Sequence, residues 1–466
     1  MKETKFNFGL VGLGVMGRNF ILNVAENGFS ALGLSSSKEK INLLKKEGRG
    51  NKIDATNSDE NFIKRLELPR KIMLLVPAGK PVDSMIERFL PFLNEGDLII
   101  DGGNSHFLDS NRRYDYLLKK GIKFIGCGVS GGSMGARYGP SIMPGGDIES
   151  YDLIKPIFES VSAKINNEPC VAYLGPKSSG HYVKMIHNGI EYAIMQLISE
   201  VYHILKVGLN YNNDSVFESF KKWNEGRLSS YLVEITRNIF NVKQKENNKY
   251  IIDLILDKAK QKGTGKWTSQ NAMDIGINVP TIDSAISMRI VSSFKEIREN
   301  ISNLYISNNK RKAAILEDDL EKTLYFGFII SYIQGFFQLK MASKEYNYDL
   351  DFESICKVWR GGCIIRADML EVFIDILKEK PNFNHLIQNK YIVKIISECE
   401  SSVRKVCKNA INLSIPIMGI SSTLSYFDSL KTNKLPTNLI QAQRDYFGEH
   451  TYERIDKRGS FHTKWE

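Results

Sequence analysis

The sequence predicts two architectures in series: an α/β domain built on a doubly wound, mostly parallel sheet, then a large all-α domain. Three observations carry this. A short β-like run over 6–11 passes into Gly12-x-Gly14-x-x-Gly17 and then into a helical pattern over 19–27. Up to about residue 176, short apolar runs alternate with helical stretches, with glycine or proline at the joins. From Gly180 onward the pattern is almost entirely helical. Strand–helix alternation builds a parallel sheet covered on both faces, whereas unbroken helical periodicity packs helix on helix. The expected units are 1–178, 179–435 and a C-terminal tail over 436–466.

The glycines at 12, 14 and 17 allow a tight turn and close approach of a pyrophosphate to the next helix, whose free amides attract anions. Alone the pattern is weak. Between a strand and a helix it is the Rossmann-like dinucleotide fingerprint in its expected setting. A second strand over 30–34 ends in Ser35, Ser36, Ser37 and Lys38. An NAD-binding chain usually carries an acid here for the ribose 2′-hydroxyl. Three hydroxyls and a lysine suit a 2′-phosphate better, which favours NADP over NAD; the same serines also suit a polar turn capping the next helix.

Further strands are expected over 71–76, 97–101 and 122–126, separated by helices over 82–93 and 110–120. Their carboxyl ends carry Val76-Pro77-Ala78-Gly79, Asp101-Gly102-Gly103-Asn104 and Gly128-Val129-Ser130-Gly131-Gly132. Ligands bind at such strand ends in this architecture. Ser130, Gly131 and Gly132 offer a hydroxyl and unhindered amides to a carboxylate or phosphate. Singly each loop reads as a turn; together they favour a site.

The helical half opens with a helix expected to run from Gly180 to about 205. Lys184, His187, Asn188 and Glu191 fall at i, i+3, i+4 and i+7, hence on one face. Val183, Ile186, Ile190, Ile194, Leu197 and Ile198 take the others. An amine and a carboxylate two turns apart can bracket a small polar substrate. The same stripe on an exposed helix is an ordinary solvated Lys/Glu pair, but two glycines and an asparagine are poor choices for such a face. A weak internal repeat pairs Tyr192 and Trp223 with Tyr332 and Trp359. Lys262-Gly263-Thr264-Gly265-Lys266-Trp267 is a plausible phosphate loop, though it lacks P-loop spacing. Arg289, on a following helix, reads by itself as half of a surface salt bridge. The tail is polar and basic with isolated aromatics, so it needs a surface to lie on, its own chain or a second subunit.

Composition excludes several classes. With 466 residues, 42% hydrophobic and 25% charged, the chain suits an ordinary soluble protein of two or three domains. The start at Met1 to Phe8 has no apolar leader and no apolar run reaches membrane-spanning length, which points to the cytoplasm. Six scattered cysteines without CxxC or histidine partners at zinc spacing read as free thiols, and no metal site is expected. The net charge of +10 is dispersed, and its densest run, Lys310-Arg311-Lys312, is answered by acids at 317–321. That is no nucleic-acid-binding arm; it suits a phosphorylated or carboxylated small substrate.

These motifs resemble the decarboxylating 6-phosphogluconate dehydrogenases of the long-chain, homodimeric type. The resemblance runs from Gly12-Leu-Gly-Val-Met-Gly-Arg-Asn19 to Phe461-His-Thr-Lys-Trp465. Its most specific pieces are Asp101-Gly-Gly-Asn104, Gly128-Val-Ser-Gly-Gly132, His181 to Tyr192, Lys262 to Trp267, Trp359 to Arg366 and Gln441 to Gly448. It implies oxidation of 6-phosphogluconate by NADP and loss of CO₂, giving ribulose 5-phosphate and NADPH without a metal. It implies Lys184 as general base and then acid, and Glu191 as the acid that protonates the enediol. Asn104, Ser130, Gly131, Gly132, His187 and Asn188 match residues holding the carboxylate end and hydroxyls of the substrate. Tyr192, Lys262, Thr264 and Arg289 match the phosphate site, and Arg444 and His450 match residues supplied by the partner of a homodimer. The resemblance further implies that Gly12, Gly14, Val15, Met16 and Gly17 line the cofactor, with Val76, Pro77, Ala78 and Asn104 beside them.

Departures from the family pattern lie near the cofactor and the reacting end. Ser35 to Ser37 stand where Asn-Arg-Thr is common, Pro77 where many members have lysine, and Ser133 and Met134 where a glutamate pair is common. An NAD-preferring enzyme and a non-catalytic sugar-phosphate-binding homologue are the alternatives these changes leave open. A β-hydroxyacid dehydrogenase of the 3-hydroxyisobutyrate type shares the first domain but lacks the large helical half and the Arg444 tail.

Overall fold

The computed structural model describes residues 5–305 and 314–466. The basic run Lys310-Arg311-Lys312 and the first four residues lie outside the described residues. The first half begins β1 (Phe8–Val11), α1 (Val15–Glu26), β2 (Ala31–Leu34), α2 (Lys38–Glu47), β3 (Ile53–Thr56) and α3 (Asp59–Lys64). Next come β4 (Lys71–Leu74), α4 (Lys80–Phe89), β5 (Leu98–Asp101) and α5 (Phe107–Leu118). It closes with β6 (Lys123–Ser130), α6 (Gly132–Tyr138), β7 (Ser141–Gly146) and α7 (Ile148–Val161). Seven strands form one sheet in the order β3-β2-β1-β4-β5-β6-β7. All neighbours are parallel except β7, which runs antiparallel beside β6.

This is the doubly wound, mostly parallel sheet that the alternation predicts. Strands β1, β2 and β5 are buried at every residue, as strands covered on both faces must be. The strand order reverses at β1, and a crevice opens there at the carboxyl ends of β1 and β4. Two strands of this sheet escape the sequence reading. β3 is a half-buried edge strand, Ile-Asp-Ala-Thr, with little apolar signal. β7 contains Pro144, Gly145 and Gly146, residues that ordinarily argue against a strand. It sits at the opposite edge of the sheet, where a missing N–H is tolerated.

A short hairpin of β8 (Lys164–Ile165) and β9 (Glu168–Pro169) leads into α8 (Ser179–His203), which passes into a π-helical turn at Ile204–Gly208. Then come α9 (Asn213–Asn224), α10 (Tyr231–Ile239), α11 (Thr264–Asp274), α12 (Pro280–Ser293) and α13 (Lys295–Leu304). The chain continues through α14 (Glu317–Glu345), α15 (Phe352–Trp359), α16 (Met369–Glu379), α17 (Lys390–Asn412) and α18 (Met418–Lys431). α14 is buried over most of its length and on every side, and α8, α17 and α18 pack on it. A helix apolar all round belongs at the centre of a helical core. Buried Trp223 and Trp359 close the short helices α9 and α15 that follow α8 and α14. No helix among the described residues is long and apolar enough to cross a membrane.

The last unit is α19 (Thr437–Gly448) and a small hairpin, β10 (Tyr452–Glu453) with β11 (Ser460–Phe461). Buried Asp445 on α19 gathers it: the amides of Thr451 and Thr463 and the indole N–H of Trp465 donate to its carboxylate. The tail therefore orders itself on its own helix. Leu439, Ile440 and Phe447 of that helix remain exposed.

α8 also packs on the sheet, against β6 and β7. The approach is so close at Gly180 that a Cβ there would lie 2.3 Å from the Met143 carbonyl oxygen and 2.4 Å from that of Gly126. Backbone on both sides cannot give way. Gly180→Ala is therefore expected to destabilise the protein by about 1–3 kcal/mol through overpacking. A lowered midpoint in urea unfolding would show it; an unchanged midpoint would mean the two units part easily at this seam.

Candidate active site

The face of α8 that carries Lys184, His187 and Asn188 is buried, not solvated: all three are less than a tenth exposed. Lys184 faces Gly128 on β6, where a Cβ would come within 2.4 Å of the lysine Cβ. The sheet thus presses its own backbone against the lysine stem. The Lys184 amine lies 3.2 Å from His187 Nδ1, which in turn lies 3.1 Å from Asn188 Oδ1. His187 Nε2 is 3.3 Å from Ser130 Oγ, and the ring meets Trp359 edge-on. Glu191 follows one turn on, its carboxylate 3.9 Å from His187 Nδ1 and partly open to solvent.

Burial shifts these groups in opposite directions, because it disfavours whichever form is charged. Burial brings the Lys184 amine down to about 8, and the nearby Glu191 carboxylate resists that fall. Burial raises Glu191, opposed by Lys184 and then Arg289. Burial, reinforced by the Lys184 charge, holds His187 well below the ordinary histidine range, so it is neutral near pH 7. A neutral imidazole positions the amine without adding a second charge beside it.

At the far end of this face Tyr192 is buried, and the Arg289 guanidinium stacks on its ring at 3.5 Å from the centroid. Arg289 also donates to the Lys260 carbonyl at 3.3 Å. The surface salt bridge that its isolated sequence suggests does not form among the described residues. Thr264 is the first residue of α11 and is buried against this region, while Lys262 just before it is exposed. α11 is held on α8 through Thr268, whose hydroxyl donates to the Met185 carbonyl at 2.9 Å. Tyr192, Arg289 and Thr264 thus come together from α8, α12 and α11.

Above α8 the strand ends of the first half supply the other wall. Ser130 ends β6 and is buried; Gly131, at φ 120°, caps the short α6, and Gly132, Ser133 and Met134 lie exposed on its first turn. Asn104 is exposed on the loop after β5. That loop is framed by Asp101, which accepts from the Gly103 amide at 3.1 Å, Ser105 Oγ at 2.6 Å and Arg113 at 3.1 Å. Arg113, 1% exposed, also donates to Asp83 and to the Gly79 carbonyl, so one guanidinium ties the loop after β4 to the loop after β5.

The dinucleotide fingerprint sits where α1 begins. Gly14 caps α1 without a side-chain bond and the first turn carries no acid, leaving the amides free for an anion. Gly17 is pressed so closely on the turn that a Cβ would fall 2.0 Å from the Gly12 carbonyl oxygen. A Cβ on Gly14 would meet nothing within 4 Å, and Gly14 opens into a cavity of about 440 Å³. Gly12, Ser35, Ser36, Val76 and Pro77 line the same cavity. A dinucleotide fits this donor set and space. Val15 and Met16 stand on the first turn of α1, and Ala78 is exposed on the loop after Val76 and Pro77.

Ser37 caps α2, its hydroxyl accepting from the Lys40 amide, and Lys38 is the exposed first residue of that helix. Neither lines the cavity. Lys40, Asn57, Asp59 and Arg88 do, and sequence reasoning missed all four. They converge from three separate elements, and nothing in their local sequence marks them.

Arg444 and His450 stand apart. Both are exposed on the tail, where Arg444 meets Gln441 Oε1 and the His450 ring packs on Phe447. No hydrogen bond or ion pair among the described residues ties either to α8. No cluster of three or more His, Cys, Asp or Glu among the described residues could hold a metal ion.

Comparison with known proteins adds three findings. Residues 7–175 match the family model of the NAD-binding domain of 6-phosphogluconate dehydrogenase, and residues 180–465 match that of its C-terminal domain. The chain is 47% identical to the NADP-dependent, decarboxylating 6-phosphogluconate dehydrogenase of Bacillus subtilis, covering 99% of each. It is 45% identical to the decarboxylating enzyme of Escherichia coli, again over 99% of each. Among solved structures, the Plasmodium falciparum 6-phosphogluconate dehydrogenase superposes with a TM-score of 0.96 at 44% identity, covering 98% of this chain and 100% of that one. That protein was solved alone, with NADP⁺ and with 6-phosphogluconate.

The buried amine has a cost that can be measured. Unfolded, Lys184 keeps its proton up to about pH 10.5; folded, only to about 8. Between those values the unfolded state binds the extra proton. The penalty, about 3 kcal/mol at most, is therefore complete below pH 8 and fades as pH rises toward 10.5. Lys184→Met is expected to be about 1–3 kcal/mol more stable than the parent at pH 7, with a smaller gain at pH 9.5. Chemical denaturation at the two pH values checks this; a loss of stability at both would mean the amine is held by favourable contacts.

Proposed function

This chain belongs to the 6-phosphogluconate dehydrogenase family, and from that premise we propose which of its residues carry the reaction. The protein oxidises 6-phosphogluconate with NADP and releases CO₂, giving ribulose 5-phosphate and NADPH, a reaction of the pentose phosphate pathway. Bound NADP supplies the hydride acceptor. The observation that carries the assignment of roles is the trio on one face of α8: a buried amine lowered to about 8, a buried neutral imidazole beside it and a half-buried carboxyl raised one turn away.

Lys184 takes the proton of the substrate's C3 hydroxyl as the C3 hydrogen leaves. At pH 7 roughly a tenth of such an amine is unprotonated, against a few parts in ten thousand for an ordinary lysine. The lysine, now protonated, donates to the new C3 carbonyl oxygen while the C1–C2 bond breaks and C1 leaves as CO₂. The β-keto acid holds the electron pair as an enediol, so no metal is needed. Glu191 then delivers a proton to the terminal carbon of that enediol as Lys184 takes back the hydroxyl proton. A carboxyl can do this near neutral pH only if its proton is held more tightly than usual, and burial holds it so.

His187, with Asn188, holds the Lys184 amine in line. Asn104, Ser130, Gly131 and Gly132 receive the carboxylate end and hydroxyls from the sheet side. Tyr192, Lys262, Thr264 and Arg289 take the phosphate, with the stacked guanidinium and the amides at the start of α11 as its donors. The cofactor lies along Gly12 to Gly17, with Val76, Pro77 and Ala78 beside it and Ser35 and Ser36 at the ribose end.

Three working units follow: 1–178 for the cofactor, 179–435 for substrate and dimerisation, and 436–466 as a tail that enters a partner subunit. Exposed Arg444, on a helix whose apolar side is also open, and exposed His450 just beyond that helix support a shared site in a homodimer. The free cysteines suit a reducing, cytoplasmic setting.

Two outcomes are expected. In rapid-mixing experiments the first formation of NADPH rises with pH through about 8, because Lys184 must lose its proton. Glu191→Gln moves that limb to lower pH, since the carboxylate no longer supports the ammonium, and Lys184→Ala lowers the rate by about 10²–10⁴-fold. A limb unmoved by Glu191→Gln would separate the two groups. In mixed dimers, Arg444→Ala combined with Lys184→Ala restores one working site per dimer. Activity no higher than in either parent would refute the shared site.

A further inference from the structure

The turn after β2 lacks a guanidinium, yet the cavity it opens into contains one, on α4. We propose that Arg88, together with Lys40, reads the 2′-phosphate of the cofactor, and that Asp59 is the arm that holds Arg88 in place. This rests on the NADP-dependent reading above and names the residues that make the choice of cofactor.

Ser35 and Ser36, Lys40, Asn57 and Asp59, and Arg88 reach the cavity from the β2–α2 turn, the first turn of α2, the start of α3 and the helix α4. Arg88 meets Asp59 in a fork. Nη2 lies 2.7 and 2.8 Å from the two carboxylate oxygens, and Nε lies 3.0 Å from one of them. That occupies one side of the guanidinium. The remaining nitrogen, Nη1, donates only to Met85 Sδ at 3.3 Å, a weak acceptor that a phosphate oxygen displaces readily. Arg88 is 55% exposed and Asp59 22%, so the fork stands at the cavity wall rather than inside the core.

Charge decides the ligand. Lys40 makes no ion pair among the described residues. Lys40 and Arg88 against Asp59 leave one net positive charge at the ribose end. That favours a phosphate monoester over a bare hydroxyl. Without Arg88 the balance reverses locally: Asp59 is left as a free carboxylate in the cavity, repelling a phosphate and able to accept from a 2′-hydroxyl. The Arg88–Asp59 pair thus sets preference in both directions.

The bland role for the same pair is a clamp between α3 and α4. Calorimetric titration of the full-length protein with 2′,5′-ADP and with 5′-AMP separates the two, since the probes differ only in the 2′-phosphate and no turnover is involved. Arg88→Ala is expected to weaken 2′,5′-ADP at least tenfold while 5′-AMP moves less than twofold. Asp59→Ala stays within about threefold for both probes, and the double variant recovers part of the Arg88→Ala loss because the orphaned carboxylate is gone. Lys40→Ala weakens 2′,5′-ADP several-fold. Arg88→Lys, which keeps the charge without the fork, falls between parent and Arg88→Ala.

Equal weakening of both probes by Arg88→Ala and Asp59→Ala, with matching losses in melting temperature, would reduce the pair to a clamp and overturn the proposal. Failure of the underlying NADP reading looks different: the unaltered protein would bind 2′,5′-ADP no more tightly than 5′-AMP.

Discussion

The proposed chemistry depends on the close seating of α8 against the edge of the sheet. Gly180 on α8 brings backbone against backbone, and Gly128 on β6 brings the sheet's backbone against the Lys184 stem, so a side chain on either would collide. That contact removes water from Lys184 and His187, and partly from Glu191. Desolvation then draws the amine and carboxyl toward each other in proton affinity, as the proposed base and acid acting in sequence require. The glycines that make α8 a poor exposed helix are what let it seat so closely.

A second constraint holds the opposite wall. Arg113 is almost wholly buried and bonded to Asp83, Asp101, Ser105 and the Gly79 carbonyl. A buried guanidinium with nearly all its donors matched is costly to create and more costly to disturb. It therefore fixes the loops after β4 and β5 relative to each other, and with them Val76 to Gly79 and Asn104. The groups proposed to meet cofactor and substrate from the sheet side are thus presented by one rigid frame, while α8, α11 and α12 present the rest of the proposed site. Geometry between the walls is set by packing rather than by the ligands.

Much of this was legible in the sequence, for physical reasons. Lys184, His187, Asn188 and Glu191 lie within two turns of one helix, so spacing alone puts them together. The sheet's buried strands announce themselves as apolar runs. β7 did not, because Pro144 and its glycines satisfy the sheet edge and the approach of α8, not strand propensity. Arg88, Lys40 and Asp59 were invisible for another reason: they meet only once α2, α3 and α4 are wound around the sheet. The ordering of the tail was equally hidden, because it hangs on one buried carboxylate, Asp445, whose partners lie up to twenty residues away.

α8 carries a second buried acid, and the comparison shows what makes a carboxyl chemical. Glu200 is more deeply buried than Glu191, and burial raises it too. Its two oxygens accept from the Gly419 and Ile420 amides at 2.7 and 2.8 Å, closing the first turn of α18. Gln196 donates to it as well. Those bonds commit it to joining two helices and stabilise its charge, so its proton has no task and no route out. Glu191 has burial without such donors, a neutral imidazole and an ammonium as neighbours, and an edge open to solvent. Burial raises both acids; what separates them is that the fold has left one without hydrogen-bond donors and open to solvent, which suits the proton transfer proposed for it.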